Sequence, residues 1–262
     1  MRKTIVFLAV IILLSACGSV PLTGRRQLLL VSDTEILVAS MTQFNDFIST
    51  APLSTDATKT ATVERVGRRI ANATEAYLRQ NGRADDIRSL QWDFRLVRDD
   101  QVNAFCMPGG KIVVYEGLLP LVASDDELAV VVGHEIAHAI ARHSNERMSQ
   151  QIMAQYGAAF VNMALSNKSA AIQNTGNTVF GLGAQLGVML PYSRRHEYEA
   201  DYMGMILMTM AGYEPASAVR FWEKMSAGGG AGVPEILSTH PSDAARIAEI
   251  RRRLPEMANF RR

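Results

Sequence analysis

Hydrophobic positions along this chain recur with two different periods. From about Ala57 to Arg79, Val63, Val66, Ile70, Ala73 and Tyr77 fall three or four residues apart. That spacing lines up one apolar face of a helix. A helix ahead of it is opened by the capping box Ser32-Asp33-Thr34-Glu35 and runs to about Ile48, before "APLSTD" breaks the chain. Between residues 91 and 116 the period drops to two. Trp92, Phe94 and Leu96 alternate, and the runs "QVNAFCM" and "KIVVYEG" flank Pro108-Gly109-Gly110, a turn signal. A small sheet of about three strands is expected there. Helices then return, the first opened by Ser124-Asp125-Asp126-Glu127. The polar stretch 166–178 reads as a mobile loop, and the apolar, glycine-containing stretch 179–190 as a core segment too short to cross a bilayer. Pro191 precedes a helix that ends at Gly212, and Pro215 starts another through about Met225. A glycine-rich loop follows, and Ser242 caps the last helix, "DAARIAEIRRRL". The expected fold is α+β and mostly α-helical. With no internal repeat or composition break, residues 32–262 form one domain.

The first residues stand apart from that pattern. Arg2 and Lys3 precede an apolar run from Thr4 to Leu14, which ends in Leu14-Ser15-Ala16-Cys17. The run is shorter than the roughly 20 residues a membrane-spanning helix needs. Leu-Ser-Ala-Cys resembles the bacterial lipoprotein signal. That resemblance implies a signal peptide over residues 1–16, lipidation of Cys17, and a lead-in over residues 17–31. Gly18 rather than Asp after the cysteine favours the periplasmic face of the outer membrane. An ordinary signal peptide cut near Ala16 is the plain alternative. Composition adds little: 262 residues, 48% hydrophobic, with a formal charge of +1. That charge gives no basic surface for nucleic acid. With Cys17 lipidated, Cys106 has no cysteine to pair with, and burial is expected for its thiol.

Candidate chemistry lies in His134-Glu135-Ile136-Ala137-His138. Four residues of helix advance about 400° and roughly 6 Å, so both imidazoles leave the same face and can converge on one metal ion. Glu135, about 100° around, reaches a neighbouring water rather than the ion. Two histidines on a solvated helix face are the alternative. A catalytic zinc takes three protein ligands. His143 is five residues past His138, turned roughly 140° away on a continuous helix, and reads as a surface residue. Glu197 is the better third ligand. Asp201, one turn later, can accept the other ring N–H of a ligand histidine. Glu199 is expected to face away, and His196 to be structural or exposed.

These motifs carry a resemblance. Gly-His-Glu-Ile-Ala-His and Glu-Tyr-Glu-Ala-Asp, with "PLTGRRQLLLVS", "NAFCMPGGKIVVYEGLL" and "STHPSDAARI", resemble the zinc endopeptidase family of HtpX and the CAAX prenyl proteases. Within it they are similar to the soluble periplasmic lipoproteins of the LoiP and BepA type. The resemblance implies a single gluzincin-type domain with its small sheet beside the metal. It implies one Zn²⁺ held by His134, His138 and Glu197, with Glu135 as general base. It places His240 near the metal, as oxyanion donor or as resting occupant of the open position, and Arg246 near the catalytic centre. It puts Asn103, Ala104 and Phe105 on a strand that pairs with extended substrate. The implied activity is endopeptidase cleavage of unfolded or misassembled envelope proteins, with an outer-membrane assembly partner in view. A chaperone-like assembly factor with latent proteolysis is the alternative.

Overall fold

The computed structural model describes residues 17–185, 189–227, 236, 240 and 244–261. The expected signal peptide, the Cys17 side chain, Ser242 and residues 228–232 of the glycine-rich loop lie outside the described residues.

The lead-in is a small antiparallel pair, β1 (Cys17–Ser19) and β2 (Arg26–Leu28), with Cys17 opposite Leu28. Helices α1 (Asp33–Thr50), α2 (Ala57–Gln80) and the short α3 (Ala84–Ile87) come next. Ser32 closes the full capping box on α1: its hydroxyl accepts from Glu35 N–H and the Glu35 carboxylate accepts from Ser32 N–H. Asp56 caps α2 by accepting from Thr58 and Lys59 N–H.

The expected sheet is present as β3 (Asp93–Val97), β4 (Ala104–Met107) and β5 (Lys111–Tyr115), in the order β3-β5-β4. β5 runs parallel to β3, with Phe94 opposite Ile112, and antiparallel to β4 across the turn at Gly109 and Gly110. Both glycines have positive φ, 87° and 81°, which explains the residue choice. Gly67 lets α2 lie against this sheet, since a Cβ there would fall 2.3 Å from the Phe94 ring. Half-buried Cys106 joins the core edge, its thiol donating to the Met107 carbonyl at 3.2 Å.

After a 3₁₀ segment (Glu116–Leu121) come α4 (Asp125–Ile140), α5 (His143–Leu165), α6 (Ala170–Ala184), α7 (Leu190–Met210), α8 (Ser217–Ala227) and α9 (Ala244–Arg253), then a last 3₁₀ segment (Leu254–Phe260). α4 is the central element. From Glu127 to Ala137 every residue is buried, as befits a helix enclosed on all sides. The second capping box is only half formed. Ser124 accepts from Glu127 N–H, but the Glu127 carboxylate turns to Ala123 N–H and to Lys224 Nζ on α8.

Three sequence expectations are corrected. Residues 166–178 are not a loop, because α6 begins at Ala170, and the 179–190 stretch, of which residues 186–188 lie outside the described residues, is not core where it is described, because Val179 and Leu182 are exposed. The cause is a helical hairpin. Gly157 of α5 admits the Phe180 ring and Gly176 of α6 admits Leu165, so the two helices dock on each other and helix wins over local turn propensity. His143 is also not a surface residue; it is buried. The helix assumed to be continuous ends at Ile140, and Arg142 adopts a left-handed backbone with φ 57°. That turn starts α5 in a new direction and folds His143 back toward His138. Among the described residues, no helix is long and apolar enough to cross a membrane.

The closest helix contact is that of α4 with α7. A Cβ on Gly204 would lie 2.9 Å from the His134 nitrogen and 3.0 Å from the Gly133 carbonyl carbon. Gly204→Ala must therefore push two backbones apart. We expect it to cost about 1–3 kcal/mol, read as a lower thermal midpoint. Gly181→Ala, at a helical position with open space around it, should be neutral or stabilising because alanine is the better helix former. Equal effects of the two substitutions would contradict the close-packing account.

Candidate metal centre

α4 carries His134 and His138 one turn apart, and their Nε2 atoms lie 3.0 Å from each other. α7 brings Glu197 against them, with Oε2 3.3 Å from His134 Nε2 and Oε1 3.4 Å from His138 Nε2. His240 completes the group: its Nδ1 is 2.9 Å from Glu197 Oε2 and 3.1 Å from His134 Nε2. One ligand atom from each of these four residues falls within 4.8 Å of the others. Glu135 projects beside them, its Oε1 3.5 Å from His240 Nε2.

A ring of supporting contacts fixes these side chains. Asp201, one turn beyond Glu197, has Oδ1 3.0 Å from His134 Nδ1. A carboxylate only accepts, so His134 carries a proton on Nδ1 and turns its Nε2 into the cluster. Arg246 from α9 binds Asp201 in a fork, with Nε on Oδ2 and Nη2 2.8 Å from Oδ1. Its Nη1 donates to the His240 carbonyl at 3.2 Å and lies 3.4 Å from Glu197 Oε2. Its guanidinium sits 4.0 Å over the Trp222 ring, which also meets the His134 ring edge-on. Arg246, expected near the catalytic centre, is thus a fully buried clamp on Asp201. The Trp222 floor had no periodic or motif signal in the sequence.

The electrostatics arise from burial opposed by pairing. Burial lowers the His134 imidazole, but Asp201 and Glu197 outweigh it and lift it to about 9. Burial pushes His138 well below the ordinary imidazole range, against the pull of Glu197. It would raise Glu197, yet the imidazoles of His134, His138 and His240 close around that carboxyl and hold it well below its usual value. Glu135 is raised, chiefly by burial, with His240 and His134 opposing. A basic carboxylate beside a cation cluster suits proton transfer.

The donors fit a divalent cation. Two imidazole nitrogens and a carboxylate form the nitrogen–oxygen set that zinc takes. Glu197 Oε1 and Glu135 Oε1 are buried without a hydrogen-bond partner among the described residues. An orphaned buried acceptor costs about 1–3 kcal/mol, so such atoms point to a missing partner. The expected substrate strand lies at hand: β4 is the sheet edge beside α4. Asn103 is buried with its Oδ1 unpartnered among the described residues, Ala104 is buried, and Phe105 packs edge-on against Phe47 of α1. Ile236 N–H already donates to the carbonyl of Val102, just before that strand.

Behind His138 lies a second buried polar group. His143 Nδ1 is 2.8 Å from His138 Nδ1, and His143 Nε2 is 3.0 Å from Glu199 Oε2. Glu199 faces away from the cation cluster as its spacing implied, but into this group rather than into solvent. It accepts from Thr23 and Arg25 of the lead-in, and Arg25 forks onto Glu146 of α5. His196 is buried too, with Nε2 2.9 Å from Glu146. Spacing within α5 (His143, Glu146) and α7 (His196, Glu199) hinted at paired faces; nothing local tied them to Arg25.

A helix bearing two imidazoles with a glutamate beside the first, met by a carboxylate from a second helix, is the constellation of metal-dependent peptidases. The chain belongs to peptidase family M48, whose family model matches residues 57–254. It is 39% identical over 169 residues to the mitochondrial metalloendopeptidase OMA1 of Schizosaccharomyces pombe, covering 64% of this chain and 48% of the relative. It is 27% identical over 252 residues to the human mitochondrial metalloendopeptidase OMA1, covering 92% of this chain and 46% of that protein. It is 28% identical over 214 residues to the beta-barrel assembly-enhancing protease of Escherichia coli K12, covering 79% of this chain and 41% of the relative. The chain thus spans less than half the length of these relatives.

The Asp201 contacts generate a test. Asp201→Asn removes the anion that Arg246 and His134 share. Titration of the metal-free variant with Zn²⁺ against a competing chelator should show affinity about 10–100-fold weaker than wild type. Unchanged affinity would mean that Asp201 does not orient His134.

Proposed function

We propose that this chain is a zinc-dependent endopeptidase of the bacterial cell envelope, cleaving misfolded or misassembled proteins. One observation carries the reading: His134, His138 and Glu197 converge from two helices while Glu135, buried and unpartnered at Oε1, stands beside them. In this reading His134, His138 and Glu197 hold the ion. Bound there, zinc supplies Lewis acidity that polarises a peptide carbonyl and makes water acidic near neutral pH. Glu135 Oε1 takes the proton of the attacking water and returns it to the leaving amine. His240 Nε2, on the same side as Glu135, donates to the oxygen that gains charge. Asp201 and Arg246 hold His134 and Glu197 in place. The edge of β4 at Asn103, Ala104 and Phe105 pairs with extended substrate, giving main-chain affinity with little sequence choice.

The envelope setting is supported by the lipoprotein-like start and by likeness to proteins named as beta-barrel assembly-enhancing proteases. We place the chain on the periplasmic face of the outer membrane, tethered through Cys17, with an assembly partner there. Two observations favour a second reading, an assembly factor with latent proteolysis: His240 stands among the donor atoms, and Ile236 bonds beside the substrate edge. His240→Ala discriminates. Raised basal casein cleavage supports latency, and lost cleavage supports an oxyanion donor.

The central test is Glu135→Gln in the full chain. We expect wild-type folding by circular dichroism, retained zinc by metal analysis, and casein cleavage lower by about 10²–10⁴-fold. Undiminished cleavage would remove Glu135 from the mechanism.

A further inference from the structure

We propose that His143, held by Glu199 and by Arg25 of the lead-in, is a positioning residue that sets the tautomer of His138 and keeps its Nε2 free for the metal. The inference rests on the reading of this cluster as a metal centre.

The two α4 histidines have unlike partners on their far sides. His134 Nδ1 faces a carboxylate, Asp201, which settles its proton at once. His138 Nδ1 faces another ring nitrogen, His143 Nδ1, at 2.8 Å. One of these two nitrogens must donate and the other accept, and neither ring alone decides which.

Glu199 decides. Its Oε1 accepts from the Thr23 hydroxyl at 2.6 Å, and its Oε2 accepts from Arg25 Nε at 2.7 Å. Both of its oxygens thus face donors, and it meets His143 as an acceptor. The His143 nitrogen 3.0 Å away, Nε2, therefore carries a proton. In a neutral His143 ring, Nδ1 is then the lone pair, and its bond is completed by Nδ1–H of His138. That leaves His138 Nε2 unprotonated on the side where His134 Nε2 and Glu197 lie. The opposite polarity needs a doubly protonated His143 and moves the His138 proton to Nε2, closing that donor. Arg25, seated between Glu199 and Glu146, already fills the cationic place beside them.

The surroundings hold His143 in this orientation. Its ring stacks on His196 with centroids 4.2 Å apart and planes 14° off parallel. His196 is bonded to Glu146 at 2.9 Å, and Arg25 grips both Glu146 oxygens at 2.8 and 2.7 Å. Leu30 N–H donates to Ser149, and Asn145 donates to the Val31 carbonyl, so the lead-in is fastened to α5 at three points. Arg25 precedes the segment that the family model matches, which begins at residue 57. The lead-in is therefore a working part of the site.

The test uses the full chain with ¹⁵N-labelled histidine. Two-bond ¹H–¹⁵N correlation spectra of the wild type, metal-free and zinc-loaded, should show the proton of His138 on Nδ1 and that of His143 on Nε2. A proton on His138 Nε2 in the metal-free chain, or on His143 Nδ1, would overturn the proposal. Zinc affinity by chelator competition gives the second readout. We expect His143→Phe to weaken binding by about 10–100-fold and Arg25→Met to weaken it less. His143→Asn, whose carbonyl oxygen can replace Nδ1 as acceptor, should recover most of the loss. Wild-type affinity in folded His143→Phe, or no recovery in His143→Asn, would count against a tautomer-setting role. If His143→Phe does not fold, the wild-type spectra decide. A wild-type chain that binds no zinc would sink the metal-centre reading, while the spectra would still test the proton arrangement on its own.

Discussion

Everything at the site depends on two helices meeting backbone to backbone. Gly133 immediately precedes His134, and Gly204 lies one turn past Asp201, so the contact of α4 with α7 is made beside the chemistry. With a side chain at either position the axes would separate by the width of a methyl group. Glu197 and Asp201 would then recede from His134 together, because a helix moves as a rigid body. The contact thus brings Glu197 and Asp201 up to His134 together. It also explains why α4 is enclosed on every side: a helix approached this closely by α7 and covered by α2, α8 and the sheet has no face left for water.

Such enclosure makes charge expensive, and the arrangement of charge answers that cost. His134, Glu135, Glu197, Asp201 and Arg246 are all buried, as are His143, Glu146, His196 and Glu199 behind them. Isolated, any of them would be penalised by several kcal/mol. Nearly all are instead tied in chains that alternate in sign: Asp201 between Arg246 and His134, Glu199 between Arg25 and His143, Glu146 between Arg25 and His196. For Glu146, burial pushes the carboxyl up, yet the bonds from His196 and Arg25 hold it at about 2. The exceptions are the unpartnered oxygens of Glu135 and Glu197. Other buried polar atoms also lack a partner among the described residues, Gln27 Oε1 and Tyr213 Oη among them, but these two carboxylate oxygens stand together beside the imidazoles.

The parts of this arrangement that were legible in the sequence are those carried by a single regular element. Two histidines four apart report a shared helix face wherever the helix lies, and the same holds for Glu197 and Asp201. The alternation at Trp92, Phe94 and Leu96, with the Pro-Gly-Gly turn after it, announced the sheet. What failed was continuity between elements. The angle to His143 was right for an unbroken helix, but Arg142 breaks it with a left-handed backbone. Arg142 is held there by Asp33 and Asp86, which are remote in sequence. The α5–α6 hairpin was missed for a related reason: Gly157 and Gly176 read locally as helix weakeners, and their value appears only when Phe180 and Leu165 occupy the space they leave. Trp222 and Arg246 meet in space without any shared spacing.

Local reading fails most completely at the lead-in. Residues 17–31 have no helical period and read as an extended lead-in, with no local sign of what it touches. In the fold it is paired with itself through β1 and β2, buries Val20 and Gln27, and puts Arg25 between two carboxylates from different helices. Arg25 is the only cation in direct contact with either Glu146 or Glu199 among the residues described, apart from whatever charge His143 and His196 carry. Removing it would leave two buried carboxylates facing two imidazoles. One of those rings touches His138, so this segment reaches the candidate metal site through Glu199 and His143.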